Sequence, residues 1–289
     1  MKIKAYAKVN LGLKVLSKRE NGYHNLATIM DLINLYDVIH IKNDSTISLD
    51  SNNKDIIDNN LILKAISIIK DECKDASSKG CKIYLDKKIP IGAGLGGGSS
   101  DAANVILALN KLWQLDLSFE KMVEIALKVG SDVPFFLLRS IGILSGIGEN
   151  VNAIDTDIKL YYLLAIPNYP LFTKDVYANN HICEESYEKI DILINALNHN
   201  DTKKVIFNMF NDLLDAAISI NKDAPSINDI ICAMNNYFKE SNIAAKAIMS
   251  GSGSCVFAAF TNKKDCLKAL KGIKIDTVKL FSTKSAKTS

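Results

Sequence analysis

The feature that most constrains this chain is a glycine-rich segment set between two periodic segments. Five of the fifteen glycines fall within seven positions, 92 to 98. The alternating run before it, 81 to 89, predicts a strand, and apolar residues at helical spacing from Ala102 to Trp113 predict a helix after it. Glycine lets backbone N–H groups approach a ligand, and a helix N-terminus adds unpaired N–H groups. The segment therefore predicts a phosphate site, made by Pro90, Ile91, Gly92, Ala93, Gly94, Leu95, Gly96, Gly97, Gly98, Ser99 and Ser100.

The residues after the glycines narrow the type of phosphate site. A Walker A loop ends in Gly-Lys-Ser/Thr, and no lysine stands there. Gly92, Gly94 and Gly97 match the dinucleotide-binding pattern, but that fold requires a strand after the helix, and a second helix is predicted from Ser118 to Val129. A nicotinamide-dependent oxidoreductase and a flexible surface loop stay open as weaker alternatives.

Composition sets the class of protein. A chain of 289 residues with 48% hydrophobic and 23% charged residues fits a two-lobed globular protein. The net charge of +3 is spread along the chain, which argues against a nucleic-acid binder. The six cysteines form no C-x-x-C pair and the four histidines show no metal-ligand spacing. No apolar run reaches the ~18 residues of a membrane span, and the N-terminus lacks a signal-peptide pattern, so we expect a cytoplasmic protein with no membrane partner.

The order of predicted elements favours an α+β fold. Alternation over the first sixteen residues predicts a half-buried strand, whose polar face carries Lys8, Asn10 and several further lysines. A second strand is predicted over residues 35 to 41. A helix is predicted from Asn60 to about Cys73. The sequence further predicts strands within 139 to 166, a loop over 168 to 180, helices near 186–198, 202–217 and 226–238, then strands around Ser250–Ser254, a helix near 263–271 and a last strand near 277–281. The expected domain boundary is near residue 155, giving domains 1–155 and 156–289.

Three segments together resemble the signature motifs of the GHMP kinases. Residues 5 to 13 resemble the N-terminal motif, 90 to 100 the ATP-binding motif, and 249 to 257 the C-terminal glycine motif, in the family's order. The resemblance implies a two-lobed fold with an N-terminal ATP-binding lobe, a C-terminal substrate lobe and the active site in the cleft between them.

Further segments resemble the CDP-methylerythritol kinase branch of this family. They are 7 to 11 followed by Gly22-Tyr23-His24, 58 to 62 at the start of the first predicted helix, and 130 to 136. One departure is Ser145, where the branch usually has a glutamate ahead of the glycines. The resemblance is thinner through 180–240.

The resemblance implies roles for individual residues. Lys8 and Asp132 are the implied catalytic residues. Asn60 and Lys87 are implied to flank ATP, and the implied substrate-binding residues are Asn10, Tyr23, His24 and Tyr177, with the two tyrosines stacking on a cytosine. Without the resemblance, Asp132 ahead of Pro134 is more typical of a helix N-cap, and periodicity does not distinguish Lys8 from its lysine neighbours.

The implied activity is transfer of a phosphoryl group from ATP, with Mg²⁺, to a hydroxyl of a cytidine diphosphate-linked polyol in isoprenoid precursor synthesis, giving the 2-phosphate and ADP. Another GHMP small-molecule kinase and a catalytically silent ATP-binding protein of the same fold are the remaining alternatives. The sequence gives no oligomeric state and no metal ligands.

Overall fold

The computed structural model describes residues 1–20, 24–57, 60–181 and 187–286. Its strands are β1 (Lys2–Lys18), β2 (His24–Asp44), β3 (Ile47–Ser51), β4 (Gly80–Asp86), β5 (Gly142–Gly146), β6 (Asn150–Ala153), β7 (Tyr161–Pro167), β8 (Phe210–Asn211), β9 (Lys246–Met249), β10 (Val256–Phe260) and β11 (Val278–Lys284). Its helices are α1 (Leu61–Glu72), α2 (Gly97–Trp113), α3 (Phe119–Val129), α4 (Phe135–Leu138), α5 (Thr173–Ala178), α6 (Glu188–Asn198), α7 (Thr202–Asn208), α8 (Leu214–Ile220), α9 (Ile227–Glu240) and α10 (Lys263–Gly272).

The strands form two separate sheets. The larger has the order β3-β4-β2-β1-β8, with β5 paired to β2 and β6 paired to β5. The smaller has the order β11-β7-β10-β9. Most pairs are antiparallel and the helices do not alternate strictly with the strands. This confirms the α+β class that the sequence predicts.

Helices α1 to α4 pack with the larger sheet around one apolar core. In α1 the buried residues are Ile62, Ala65, Ile66 and Ile69, at the spacing that the sequence shows, and the Asn60 side chain caps the helix by accepting from the Ile62 N–H. The predicted stripe of α2 is buried in full, ending at Trp113, which is 2% exposed. Local periodicity therefore predicted both helices, although α2 is buried on more than its apolar stripe, since every residue from Ser100 to Ile106 is buried.

Strand β1 differs from its prediction because both of its faces are covered. From Ala7 to Leu16 every residue is buried, including Lys8 and Asn10. Two separate segments supply the cover. The glycine segment packs on Lys8, where a Cβ on Gly96 would lie 3.0 Å from the Lys8 Cγ, while β8 pairs in parallel with Gly12 and Leu13 and a Cβ at position 12 would lie 2.6 Å from Leu193 of α6. The expectation of a half-buried strand with a solvated lysine face is wrong over this stretch, since alternation reports one face and not what a distant segment places on the other.

Two predictions in the second half also change. The predicted loop over 168 to 180 contains α5, and the single helix predicted over 202 to 217 is divided into α7, β8 and α8. The division occurs where Asn211 donates two side-chain hydrogen bonds, to the carbonyls of Met249 and Gly251. By contrast, α9 begins at the predicted capping box, in which Ser226 and Asp229 each bond the other's backbone N–H.

The segment around residue 155 connects β6 to β7. Strands β1 to β6 all belong to the larger sheet, and β7 is the first strand of the smaller sheet. The chain then returns to the larger sheet twice, through β8 and through a bridge between Ile33 and Ser285. At the second crossing, Asp31 accepts hydrogen bonds of 2.6 Å from the hydroxyls of Tyr162 and Ser285. The two sheets are therefore tied together at a buried carboxylate.

Among the helices of the described ranges, none is both long and apolar enough to cross a bilayer.

Candidate active site

All three motif segments meet at one cleft of about 470 Å³. The cleft is lined by the glycine segment from Pro90 to Ser99, by side chains of β1 and β2, and by residues near α5 and after β9. Among its lining residues are Lys8, Asn10, Thr28, Asn60, Lys87, Asp101, Asp132, Thr173, Tyr177, Gly251 and Ser252.

The glycine segment adopts the backbone of an anion cradle. Gly92, Gly94 and Gly96 all have positive φ, between 67° and 70°, a region that residues with a Cβ rarely enter. Gly96 is the N-cap of α2, so the free N–H groups of the helix's first turn face the end of the loop. A helix N-terminus with an exposed backbone is suited to phosphate oxygens, as the sequence predicts.

The C-terminal glycine motif fixes the shape of this loop. A Cβ on Gly94 would lie 2.1 Å from the carbonyl oxygen of Ser250, so the two backbones are in direct contact. The Ser250 hydroxyl donates to the Gly94 carbonyl at 3.0 Å, and the Cys255 N–H donates to the Ala93 carbonyl at 3.3 Å. The segment after β9 therefore holds the phosphate loop in place.

Lys8 lies against this loop. Its backbone N–H donates to the Leu95 carbonyl at 3.0 Å, and a Cβ on Gly96 would lie 3.0 Å from the Lys8 Cγ. The side chain is 3% exposed, and its Nζ donates to Asn10 Oδ1 at 2.5 Å and lies 3.5 Å from Asp132 Oδ2. The ammonium therefore lies between the Asn10 amide oxygen and the Asp132 carboxylate, at the wall of the cleft.

Asp132 is 39% exposed at the side chain and lies ahead of α4. Within the described chain, α4 begins after Pro134 without a side-chain capping bond, so the carboxylate is not used as a cap. The loop that carries it is supported by Gly148, whose Cβ would lie 2.3 Å from the Ser131 carbonyl oxygen. The segment containing the departure at Ser145 therefore packs behind the Asp132 loop.

The polar residues predicted to contact ATP differ in whether they reach the cleft. Asn60, Lys87 and Ser99 line the cleft. Ser100 is fully buried and is absent from the described lining; its hydroxyl has no partner among the described residues.

Lys87 is held by two carboxylates that sequence reasoning missed. Its Nζ lies 2.5 Å from Asp37 Oδ2 and 2.7 Å from Asp101 Oδ2, and all three side chains are buried. Burial raises the pKa of Asp101 to about 8, against the charge of Lys87 and with that of Asp37. Asp37 also accepts from the Ile89 N–H at 2.8 Å, so this carboxylate anchors the start of the loop. Periodicity could not predict that these two aspartates meet at Lys87, because they lie 64 residues apart in sequence.

The predicted substrate residues are only partly brought together. Asn10 and Tyr177 line the cleft, and the His24 ring lies 5.4 Å from the Tyr177 ring although His24 is outside the described lining. Burial, with the nearby charge of Lys18, lowers the pKa of His24. Tyr23 lies outside the described residues.

Comparison with known proteins places these features in a family. The pattern described as "GHMP kinases N terminal domain" matches residues 60–140. A protein named 4-diphosphocytidyl-2-C-methyl-D-erythritol kinase from Caldicellulosiruptor bescii is 36% identical over 294 residues, covering 100% of this chain and 99% of that protein. One of the same name from Clostridium acetobutylicum is 34% identical, covering 99% and 100%.

A solved structure agrees with the sequence relatives. The crystal structure of a 4-(cytidine 5'-diphospho)-2C-methyl-D-erythritol kinase superimposes with a TM-score of 0.77 at 28% identity, covering 99% of this chain and 100% of that one. The full-length matches and the meeting of the three motifs show that the chain is an ATP-dependent small-molecule kinase and belongs to the 4-diphosphocytidyl-2-C-methyl-D-erythritol kinase family of the GHMP kinases.

Proposed function

We propose that this enzyme transfers the γ-phosphoryl group of ATP to a hydroxyl of 4-diphosphocytidyl-2-C-methyl-D-erythritol, giving the 2-phosphate and ADP. The observation that carries the proposal is the Lys8–Asp132 pair, with 3.5 Å between Nζ and Oδ2, in the cleft that the glycine segment lines. A nucleophile-activating carboxylate beside a phosphate cradle is what phosphoryl transfer to an alcohol requires.

The two residues have separate roles in this proposal. The exposed Asp132 carboxylate accepts the proton of the attacking hydroxyl, which a carboxylate within hydrogen-bond reach can do. Lys8, whose side chain is buried, orients that carboxylate and offsets negative charge on the transferring group. The glycine segment from Pro90 to Ser100 binds the ATP phosphates, with Asn60 and Lys87 beside the nucleotide.

The acceptor is assigned to the side of the cleft that contains Tyr177. Tyr177 and the nearby ring of His24 supply an aromatic surface and a polar edge, the pair of features that holds a nucleobase. Tyr23 would supply the opposite face, and Asn10 a polar contact beside the reacting hydroxyl.

Mg²⁺ is part of the proposal. No cluster of three or more His, Cys, Asp or Glu side chains occurs in the described residues, and Mg²⁺ in phosphotransferases typically takes one or two protein oxygens together with substrate phosphates. Oxygens that fit this arrangement are the Ser99 hydroxyl in the cleft and Asp101 Oδ1, which is buried and has no partner among the described residues. When bound, Mg²⁺ would neutralise charge on the β- and γ-phosphates.

The test is an acceptor screen. ADP release is measured with ATP, Mg²⁺ and either the cytidine diphosphate-linked polyol or the same polyol phosphate without the cytidine. Turnover that needs the cytidine moiety supports the proposal. Turnover with a different small alcohol would contradict the substrate and keep the kinase class, and binding of ATP without any turnover would favour a silent protein.

The division into an ATP-binding domain, 1–155, and a second domain, 156–289, belongs to the same proposal, as does a cytoplasmic location. Limited proteolysis near residue 155 and cell fractionation would test them.

A further inference from the structure

A threonine that sequence reasoning did not single out lies directly behind the catalytic pair. Thr28 of β2 is 3% exposed and lines the cleft beside Asn10. Its hydroxyl donates to the Gly12 carbonyl at 2.8 Å and accepts from Asn10 Nδ2 at 2.8 Å. Asn10 Oδ1 in turn accepts from Lys8 Nζ at 2.5 Å.

This chain of hydrogen bonds has one allowed direction. A threonine hydroxyl has a single proton, and here that proton is given to the Gly12 carbonyl, so toward Asn10 the oxygen can only accept. Asn10 must therefore present its NH₂ to Thr28 and its carbonyl oxygen to Lys8. If the amide were reversed, two donors would face each other at the Lys8 end, inside a region with little water to compensate.

A backbone irregularity lies at the same point of β1. The pairing register of β1 with β2 shifts between Asn10 and Gly12, so the strand bulges beside the two functional side chains. Bulges next to active sites redirect side chains and interrupt the regular ladder. The Gly12 carbonyl at this bulge is the acceptor that sets the direction of the whole chain of hydrogen bonds.

From this geometry we propose that Thr28 is a positioning residue: it fixes the orientation of the Asn10 amide, which holds the Lys8 ammonium toward Asp132. The Thr28 hydroxyl bonds Asn10 and the Gly12 carbonyl, and it acts on Lys8 through Asn10. The inference rests on the proposed function, because the atom it positions is Lys8 Nζ.

The test compares Thr28→Val, which keeps the shape and removes the hydroxyl, with Thr28→Ser, which keeps the hydroxyl. We expect Thr28→Val to lower kcat by about 10- to 100-fold, since small misplacements of catalytic groups cost up to about two decades. The KM values for ATP and the acceptor should change far less, and Thr28→Ser should restore kcat. A matched control is Thr283→Val in β11: the Thr283 hydroxyl is buried without a partner among the described residues and lies outside the cleft, so its loss should leave kcat unchanged.

A second measurement does not depend on turnover. The side-chain amide protons of Asn10, assigned by their loss in Asn10→Asp, should exchange slowly in wild type and Thr28→Ser and rapidly in Thr28→Val.

The outcomes separate the two proposals. A Thr28→Val enzyme with wild-type kcat, or equal losses in the valine and serine variants, would overturn the positioning role. If wild type fails to phosphorylate the cytidine-linked polyol, the proposed function fails. Amide exchange alone then tests the hydrogen-bond chain from Thr28 to Lys8, and unchanged protection of the Asn10 amide in Thr28→Val overturns it.

Discussion

Replacing Asp132 by asparagine should separate catalysis from stability, because the two partners of the Lys8–Asp132 pair differ sharply in exposure. The Lys8 side chain is 3% exposed and the Asp132 side chain 39%. Two unit charges 3.5 Å apart interact by about 5 kcal/mol at an effective dielectric constant near 20. Solvent at Asp132 screens much of this and brings the interaction toward about 0.2–1 kcal/mol, the range that exposed ion pairs contribute.

The catalytic cost of the same substitution should be several times larger. Loss of a general base typically reduces kcat by about 10²- to 10⁴-fold, which corresponds to about 3–5 kcal/mol of transition-state free energy. We therefore expect Asp132→Asn to lose at least about 100-fold in kcat while its free energy of unfolding changes by about 1 kcal/mol or less.

The assay is steady-state ADP release, with urea unfolding of the same preparations. Asp201→Asn is a matched control, because Asp201 caps α7, asparagine caps equally well, and its ion pair with Lys204 is exposed. A folded Asp132→Asn enzyme that keeps more than a tenth of wild-type kcat would refute the role of general base. A loss of stability comparable to the loss of activity would refute the reasoning from exposure.

Two further predictions concern the loop and the link between the sheets. Gly94→Ala should abolish measurable ATP binding and lower the melting temperature, because its Cβ would lie 2.1 Å from a backbone oxygen at a φ of +70°. Gly98→Ala is the control, because its Cβ would contact Leu61 at 3.5 Å, and it should bind ATP far better. Equal ATP binding by the two variants would contradict the argument from the close contact at Gly94. Burial, opposed by hydrogen bonds from Ser285, Tyr162 and the Leu32 backbone, raises the pKa of Asp31 from 3.8 to about 6, so the folded state favours the protonated form. The stability that this preference for protonated Asp31 gives the folded state is fully present below pH ~3.8 and is lost as the pH rises through about 6. The difference is about 3 kcal/mol, at 1.36 kcal/mol per pKa unit. Relative to wild type, Asp31→Asn should therefore gain about that much in free energy of unfolding between pH 4 and pH 7, and a difference that is flat with pH would be inconsistent with a raised pKa.

The local elements of the N-terminal half could be predicted from the sequence because each is encoded by neighbouring residues. The apolar stripe of α2 is buried, α1 begins at an asparagine cap, and Gly92, Gly94 and Gly96 of the phosphate loop occupy positive φ. The α+β class results from the order of these elements. The family was recognisable from the same short segments, and full-length relatives confirm it.

The C-terminal half was harder to predict because its elements depend on distant partners. The two residues of β8 interrupt a helical pattern where β1 lies beside them, and the Gly12 end of β1 is buried where β8 and α6 cover it. Alternation and helical periodicity describe the residue's own neighbours, not the segment that will pack on them.

The site itself shows the same division. The sequence by itself determined which groups are present: a glycine cradle, a lysine, an aspartate and aromatic side chains. The tertiary structure decided how they act on one another, since it brings Ser250 against Gly94, places Asp132 at 3.5 Å from Lys8, and closes Asp37 and Asp101 around Lys87. The physical reason is that hydrogen bonds and charge interactions act over a few ångströms in space, whereas the sequence orders these residues along a chain whose folding alone makes them neighbours.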